Sequence, residues 1–147
     1  MEGKRTSGRA DPAQLEGFHH AALKARDFDA SVKFYRDGLG MRPTIAWGQG
    51  DGRAVMLDAG NGNHMEVFAG GAERPARRPG EPEPLLLHLA FRTPSCDAAY
   101  ARALSAGAAV VSEPKTVTIP SDPPTTVRIA FCTGPDGETI EFFQDRV

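Results

Sequence analysis

The stretch Phe18-His19-His20-Ala21-Ala22-Leu23 and the stretch Leu86-Leu87-His88-Leu89-Ala90-Phe91 each set a His on an apolar segment. Nine residues after His20 and after His88, an Asp-Ala pair opens a helical pattern: Asp29-Ala30-Ser31 in the first half, Asp97-Ala98-Ala99 in the second. Each half closes on a Gly four residues ahead of a Glu with apolar neighbours, Gly62 before Met65-Glu66-Val67 and Gly137 before Ile140-Glu141-Phe142. The chain is an internal repeat, and a repeat determines architecture before any single residue is interpreted. Because the shared residues include two His and two Glu, it also carries a set of potential metal ligands.

Working outward, each half reads strand, helix, strand, strand, strand. In the first half, the Phe18 to Lys24 strand leads to a helix that Asp27 or Asp29 can cap and Gly38 can stop in a left-handed conformation. Strands are expected at Met41 to Trp47, Arg53 to Asp58 and His64 to Ala69, separated by Gly- and Asn-rich turns. The second half repeats this order, with a helix from Ser95 or Asp97 to Ala106, strands on both sides of Pro120-Ser121-Asp122-Pro123-Pro124, and a last strand at Glu138 to Gln144. The fold class is α+β, built from paired βαβββ modules. Residues 1–14 have no apolar period and are expected to form a flexible tail. Residues 15–147 form one domain in this reading, with module one over 17–69, a linker over 70–84 and module two over 85–145. The His to Glu separation is 46 residues in module one and 53 in module two, a difference that an insertion near Pro120 could absorb.

Composition narrows the function. A length of 147 residues with 40% hydrophobic residues suits one compact globular domain. A net charge of -2 offers no basic footprint for nucleic acid. No segment approaches the roughly 20 apolar residues of a membrane span, and the polar N-terminus is not a secretory signal, so a cytoplasmic location is expected. Cys96 and Cys132 fall at unmatched points of the repeat, which fits reduced core thiols rather than a disulfide framework.

Strand side chains alternate between faces, so only one of His19 and His20 can point to a common centre. The repeat selects His20, the counterpart of His88. The same parity sets His64 and Phe68 beside Glu66, and Thr139 and Phe143 beside Glu141. Taken singly, a strand His or Glu has an ordinary structural explanation; the same pair at equivalent points of two repeats points to metal. His20, Glu66, His88 and Glu141 form a mixed N,O set suited to one divalent first-row ion per site, with Zn, Ni, Co, Mn and Fe(II) all compatible. An octahedral ion held by four protein ligands keeps two positions open, as a catalytic site requires. His64 could touch substrate or support the ligands; Trp47, Met56 and Phe91 either wall an apolar pocket or, the preferred reading, fill the core; Arg74, Arg77 and Arg78 either meet an acidic substrate group or, the preferred reading, form a solvated linker.

The run His20-Ala21-Ala22-Leu23, the segment Ser31-Val32-Lys33-Phe34-Tyr35-Arg36-Asp37-Gly38-Leu39-Gly40-Met41 and the closing Gly134-Pro135-Asp136-Gly137 with Ile140-Glu141 resemble the vicinal oxygen chelate superfamily. That superfamily includes glyoxalase I, methylmalonyl-CoA epimerase, extradiol dioxygenases, and fosfomycin and bleomycin resistance proteins. The resemblance runs from about Phe18 to Gln144 and implies paired modules forming a cup-shaped mixed sheet around a metal. It implies His20 and Glu66 as first-module ligands and His88 and Glu141 as second-module ligands, a four-ligand pattern similar to glyoxalase I. The activity so implied is a metal-dependent lyase or isomerase acting on a small substrate with vicinal oxygens through an enediolate-type intermediate, with Glu141 as first choice of base and Glu66 as second. The alternatives are an Fe(II)-dependent extradiol-type dioxygenase and an antibiotic-binding resistance protein. Because sheets of this kind join edge to edge, a homodimer is expected.

Overall fold

A computed structural model describes residues 18–72, 80 and 86–145. The expected tail and most of the linker, with Arg74, Arg77 and Arg78, lie outside the described residues. Module one consists of β1 (His20–Lys24), α1 (Phe28–Lys33), β2 (Arg42–Trp47), β3 (Ala54–Gly60) and β4 (Asn63–Phe68). Module two consists of β5 (Leu89–Arg92), α2 (Cys96–Ser105), β6 (Ala109–Ile119), β7 (Thr125–Thr133) and β8 (Thr139–Gln144). Each module folds into a four-stranded mixed sheet, in the orders β1-β4-β3-β2 and β5-β8-β7-β6. Two such sheets with few helices are the α+β arrangement that the repeat implies.

Local chemistry accounts for the boundaries. The Asp27 carboxylate accepts the Ala30 amide at 3.0 Å and the Ser95 hydroxyl accepts the Ala98 amide at 3.3 Å, so each helix begins on a side-chain cap. α1 does not run to Asp37 as a regular helix; it widens into one π-helical turn over Phe34–Gly38, closed by the Leu39 amide on the Phe34 carbonyl at 3.0 Å. The left-handed residue that ends this segment is Gly40, with φ of 80°, and not Gly38. Gly38 serves packing instead: a Cβ there would lie 2.5 Å from Ala106 Cβ, so the absence of a side chain is what lets the two helical segments touch. The longer second module places its additional residues in the β6–β7 hairpin, whose strands span 11 and 9 residues against 6 and 7 in β2 and β3.

The helices lie between the sheets. Ala21 and Leu23 of β1, Leu57 of β3 and Met65 and Val67 of β4 share one hydrophobic cluster with Tyr35, Tyr100, Ala130, Cys132, Ile140 and Phe142. Both cysteines are free and buried in it, as the composition suggests. Polar groups tie the modules together as well. The Tyr35 hydroxyl donates to Glu138, the Ser31 hydroxyl donates to Asp136 Oδ2 at 2.5 Å, and the Arg26 amide donates to Asp136 Oδ1 at 2.6 Å. The Glu138 carboxylate also receives the Asp136 amide at 2.9 Å, and burial pushes both its proton affinity and that of Tyr35 up.

Two outcomes follow from this junction. Gly38→Ala should destabilise the fold by about 1–3 kcal/mol through overcrowding at Ala106, and Ala106→Gly in the same chain should restore part of that loss; additive effects in urea denaturation would contradict the contact. Tyr35→Phe should cost about 1–3 kcal/mol, because a half-buried carboxylate loses its hydroxyl donor, whereas a loss under about 0.5 kcal/mol would mean that the bond carries no net stability.

Candidate functional site

The parallel pairing of β1 with β4 sets Ala22 beside Glu66 and His20 beside His64. In module two the parallel pairing of β5 with β8 sets Ala90 beside Glu141, with His88 immediately ahead of β5. In both modules the His therefore precedes by two residues the partner of the Glu, so the repeat extends to strand register. His20 Nε2 lies 3.5 Å from Glu66 Oε2, and His88 Nε2 lies 3.1 Å from Glu141 Oε2. The imidazoles are open to solvent, with side chains 40% and 37% exposed, while the carboxylates behind them are sheltered at 13% and 10%. Burial raises the proton affinity of Glu141, and the facing His88 partly opposes it.

The donor chemistry fits a divalent cation. Among the described residues each sheltered carboxylate meets an imidazole and no Lys or Arg ion pair, so a metal bound by both groups would compensate a carboxylate that the fold has partly removed from water. The chain brings the four candidate residues together as two His–Glu pairs. Among the described residues, no group of three or more His, Cys, Asp or Glu is placed to hold a metal ion. The reason is visible in the packing: Ala21, Leu23, Met65 and Val67 in one sheet, and Leu89, Phe91, Ile140 and Phe142 in the other, turn toward the shared cluster. The alternate residues, including all four candidate ligands, lie on the opposite faces.

Several neighbours depart from the sequence-based expectation. His19, assigned by alternation to the far face, lies just ahead of β1, where its carbonyl accepts the His64 amide at 2.8 Å; its ring stacks on His64 at 5.0 Å, and its Nδ1 lies 2.9 Å from Nδ1 of His20. His64 Nδ1 is buried with no hydrogen-bond partner among the described residues. Trp47, read as core, is 41% exposed and packs edge-on against Phe68, on the face that bears Glu66. Met56 is buried as expected but on that same face, opposite Glu66, while Phe91 is part of the core packing. Phe131 was not singled out from sequence, yet it pairs with Glu141 across β7–β8 and meets the His88 ring edge-on at 5.7 Å. Counting back across the Gly134 to Gly137 turn would have found it.

Comparison with known proteins shows the family and the fold. Residues 17–142 match the Glyoxalase/Bleomycin resistance protein/Dioxygenase superfamily, and the chain belongs to it. Two uncharacterised relatives cover nearly the same span. YwbC of Bacillus subtilis (strain 168) is 32% identical over 130 residues, 85% of this chain and 94% of its own. YaeR of Escherichia coli (strain K12) is 34% identical over 134 residues, 88% of this chain and 97% of its own. Among solved structures, a glyoxalase/dioxygenase from Nostoc punctiforme superposes with a TM-score of 0.70 at 23% identity, covering 97% of this chain and 99% of that one. TnmS3, an antibiotic-binding protein from Streptomyces sp. CB03234, gives 0.64 at 22% identity over 90% and 98% of the two chains. A lactoylglutathione lyase from Agrobacterium tumefaciens gives 0.59 at 18% over 89% and 95%. At these identities the structural likenesses speak for the fold alone. Members of the superfamily typically bind a divalent metal, and the superfamily binds small molecules. Among the described residues, no helix is long and apolar enough to cross a membrane.

Proposed function

We propose that this protein is a metal-dependent lyase or isomerase acting on a small substrate with adjacent oxygens, and that each site is completed by two copies of the chain. The observation that carries this reading is the pair of equivalent His–Glu sets, each half a ligand set, on sheet faces that turn away from the chain's own core. β1 and β5 are edge strands, and Phe18, Leu86 and Leu87 leading into them are exposed. Laying β1 of one copy against β5 of another brings His20 and Glu66 of the first to His88 and Glu141 of the second, and it covers those apolar side chains and strand edges.

In such a site His20, Glu66, His88 and Glu141 hold the ion. When bound, the ion supplies Lewis-acid polarisation of the substrate oxygens, which makes the neighbouring C–H bond more acidic. Glu141 accepts that proton on a carboxylate oxygen and returns it to the adjacent carbon, and Glu66 is the second candidate for the same task. Phe131 beside His88, and Trp47 with Phe68 near Glu66, limit water around the reacting atoms. An antibiotic-binding role is the second reading, favoured by the exposed Trp47 packed on half-buried Phe68; it expects ligand binding that survives a chelator.

The assembly is tested by mixing variants. His20→Ala and His88→Ala should each lose metal alone. Unfolded and refolded together, they should regain about a quarter of the wild-type metal content, because half of randomly mixed dimers carry one intact site of two. No recovery, with both variants folded, would mean that the ligands do not combine across chains.

The proton-transfer role has its own measurement. Glu141→Gln should abolish turnover while losing less metal than His88→Ala, since the amide keeps an oxygen ligand but cannot take the proton. In deuterated water the wild type should place deuterium on the carbon beside the chelated oxygen. Full activity of Glu141→Gln, or oxygen consumption matching turnover, would overturn this assignment.

A further inference from the structure

We propose that a cleft at the junction of the two modules binds a small organic carboxylate with an apolar body. The cleft has a volume of about 460 Å³, within the range of small-molecule sites, and none of the four candidate metal ligands lines it. Its apolar lining comes from Met41, Phe91 and Phe142, so one end of the shared core opens to solvent here. Arg42, Arg92 and Arg102 supply its positive charge, against Asp58.

The three guanidinium groups are not equivalent. Arg42 is paired with Asp58 at 2.6 Å, and this pairing holds the Asp58 carboxyl below the usual carboxylate range. Arg92 is paired with Asp145 at 3.3 Å. Arg102 reaches only the main-chain carbonyl of Asp37, at 3.3 Å, and among the described residues it has no carboxylate partner. Its position is nevertheless defined: a Cβ on Gly40 would lie 3.2 and 3.3 Å from its two terminal nitrogens, so the guanidinium packs against a glycine that leaves room for it. A planar, always-charged group held beside an apolar lining, with its charge uncompensated, suits a carboxylate on an apolar body. The fork of N–H donors matches two carboxylate oxygens, and burial of an apolar group on Met41, Phe91 and Phe142 supplies further binding energy. A bare inorganic anion would leave that lining uncovered.

Isothermal titration of the whole protein with phenylacetate tests this, with acetate, benzyl alcohol and inorganic phosphate as comparison ligands. Phenylacetate should bind, and the other three should bind at least about tenfold more weakly, since each lacks either the charge or the apolar body. Arg102→Gln should weaken phenylacetate by about tenfold or more. Ala98→Leu, at an exposed helix position on the cleft wall, should do the same by filling the space while every charge is kept, and it decides the matter should Arg102→Gln fold poorly. Glu66→Gln should leave the titration unchanged, which separates this cleft from the His–Glu sets. Absence of phenylacetate binding would overturn the proposal. So would equal binding of acetate, benzyl alcohol or phosphate, wild-type affinity in Ala98→Leu, or loss of binding in Glu66→Gln.

Discussion

The structure depends on one constraint: both sheets bury their apolar faces in the same cluster, with the two helical segments between them. The close approach of Gly38 to Ala106 lets those segments share that space, and Tyr35, from the first module, sits fully buried among residues of both. Strand alternation then leaves no freedom to the rest. If Leu23 and Val67 face the cluster, His20 and Glu66 cannot, and the same holds for Ile140 against Glu141. The His–Glu sets lie on the outer faces because the apolar residues interleaved with them have claimed the inner ones.

The polar ties at the junction work in the same direction. Asp136 and Glu138 sit in and beside the turn that leads into β8, and they receive Ser31, Tyr35 and the Arg26 amide from module one. A carboxylate in so sheltered a place is costly unless its oxygens are bonded, so the bonds specify one arrangement of the modules rather than merely adding attraction. The strand that carries Glu141 begins one residue after Glu138, and the docking of the modules therefore sets the direction in which Glu141 enters its sheet.

Glu66 and Glu141 present the opposite situation. Each is sheltered but, among the described residues, is ion-paired only with an imidazole, which is charged only when protonated. Two carboxylates partly removed from water and left with so little compensation resemble the unfinished half of a coordination sphere more than they resemble stabilising ion pairs. Glu66 and Glu141 lie one strand in from β1 and β5, which end their sheets among the described residues, so this electrostatic incompleteness sits next to the sheet edges.

Much was legible in the sequence because it is periodic. The repeat of His20 with His88 and of Glu66 with Glu141, the alternation of the strands and the glycine-rich turns reveal the paired modules and the pairing of each His with its Glu, since both are local consequences of strand parity and register. The π-helical turn at Phe34–Gly38 was not legible in the apolar spacing, and neither was the approach of Gly38 to Ala106, a residue far along the chain. His19 was not legible by alternation: it lies ahead of β1, and its ring turns onto that of His64 while its carbonyl accepts the His64 amide. Trp47 was taken for core because size and hydrophobicity do not say which face of an edge strand is covered. Residue order alone determined which side chains could share a face; only the tertiary structure decided which faces turn inward, because that choice is made by the one apolar core that both modules must fill together.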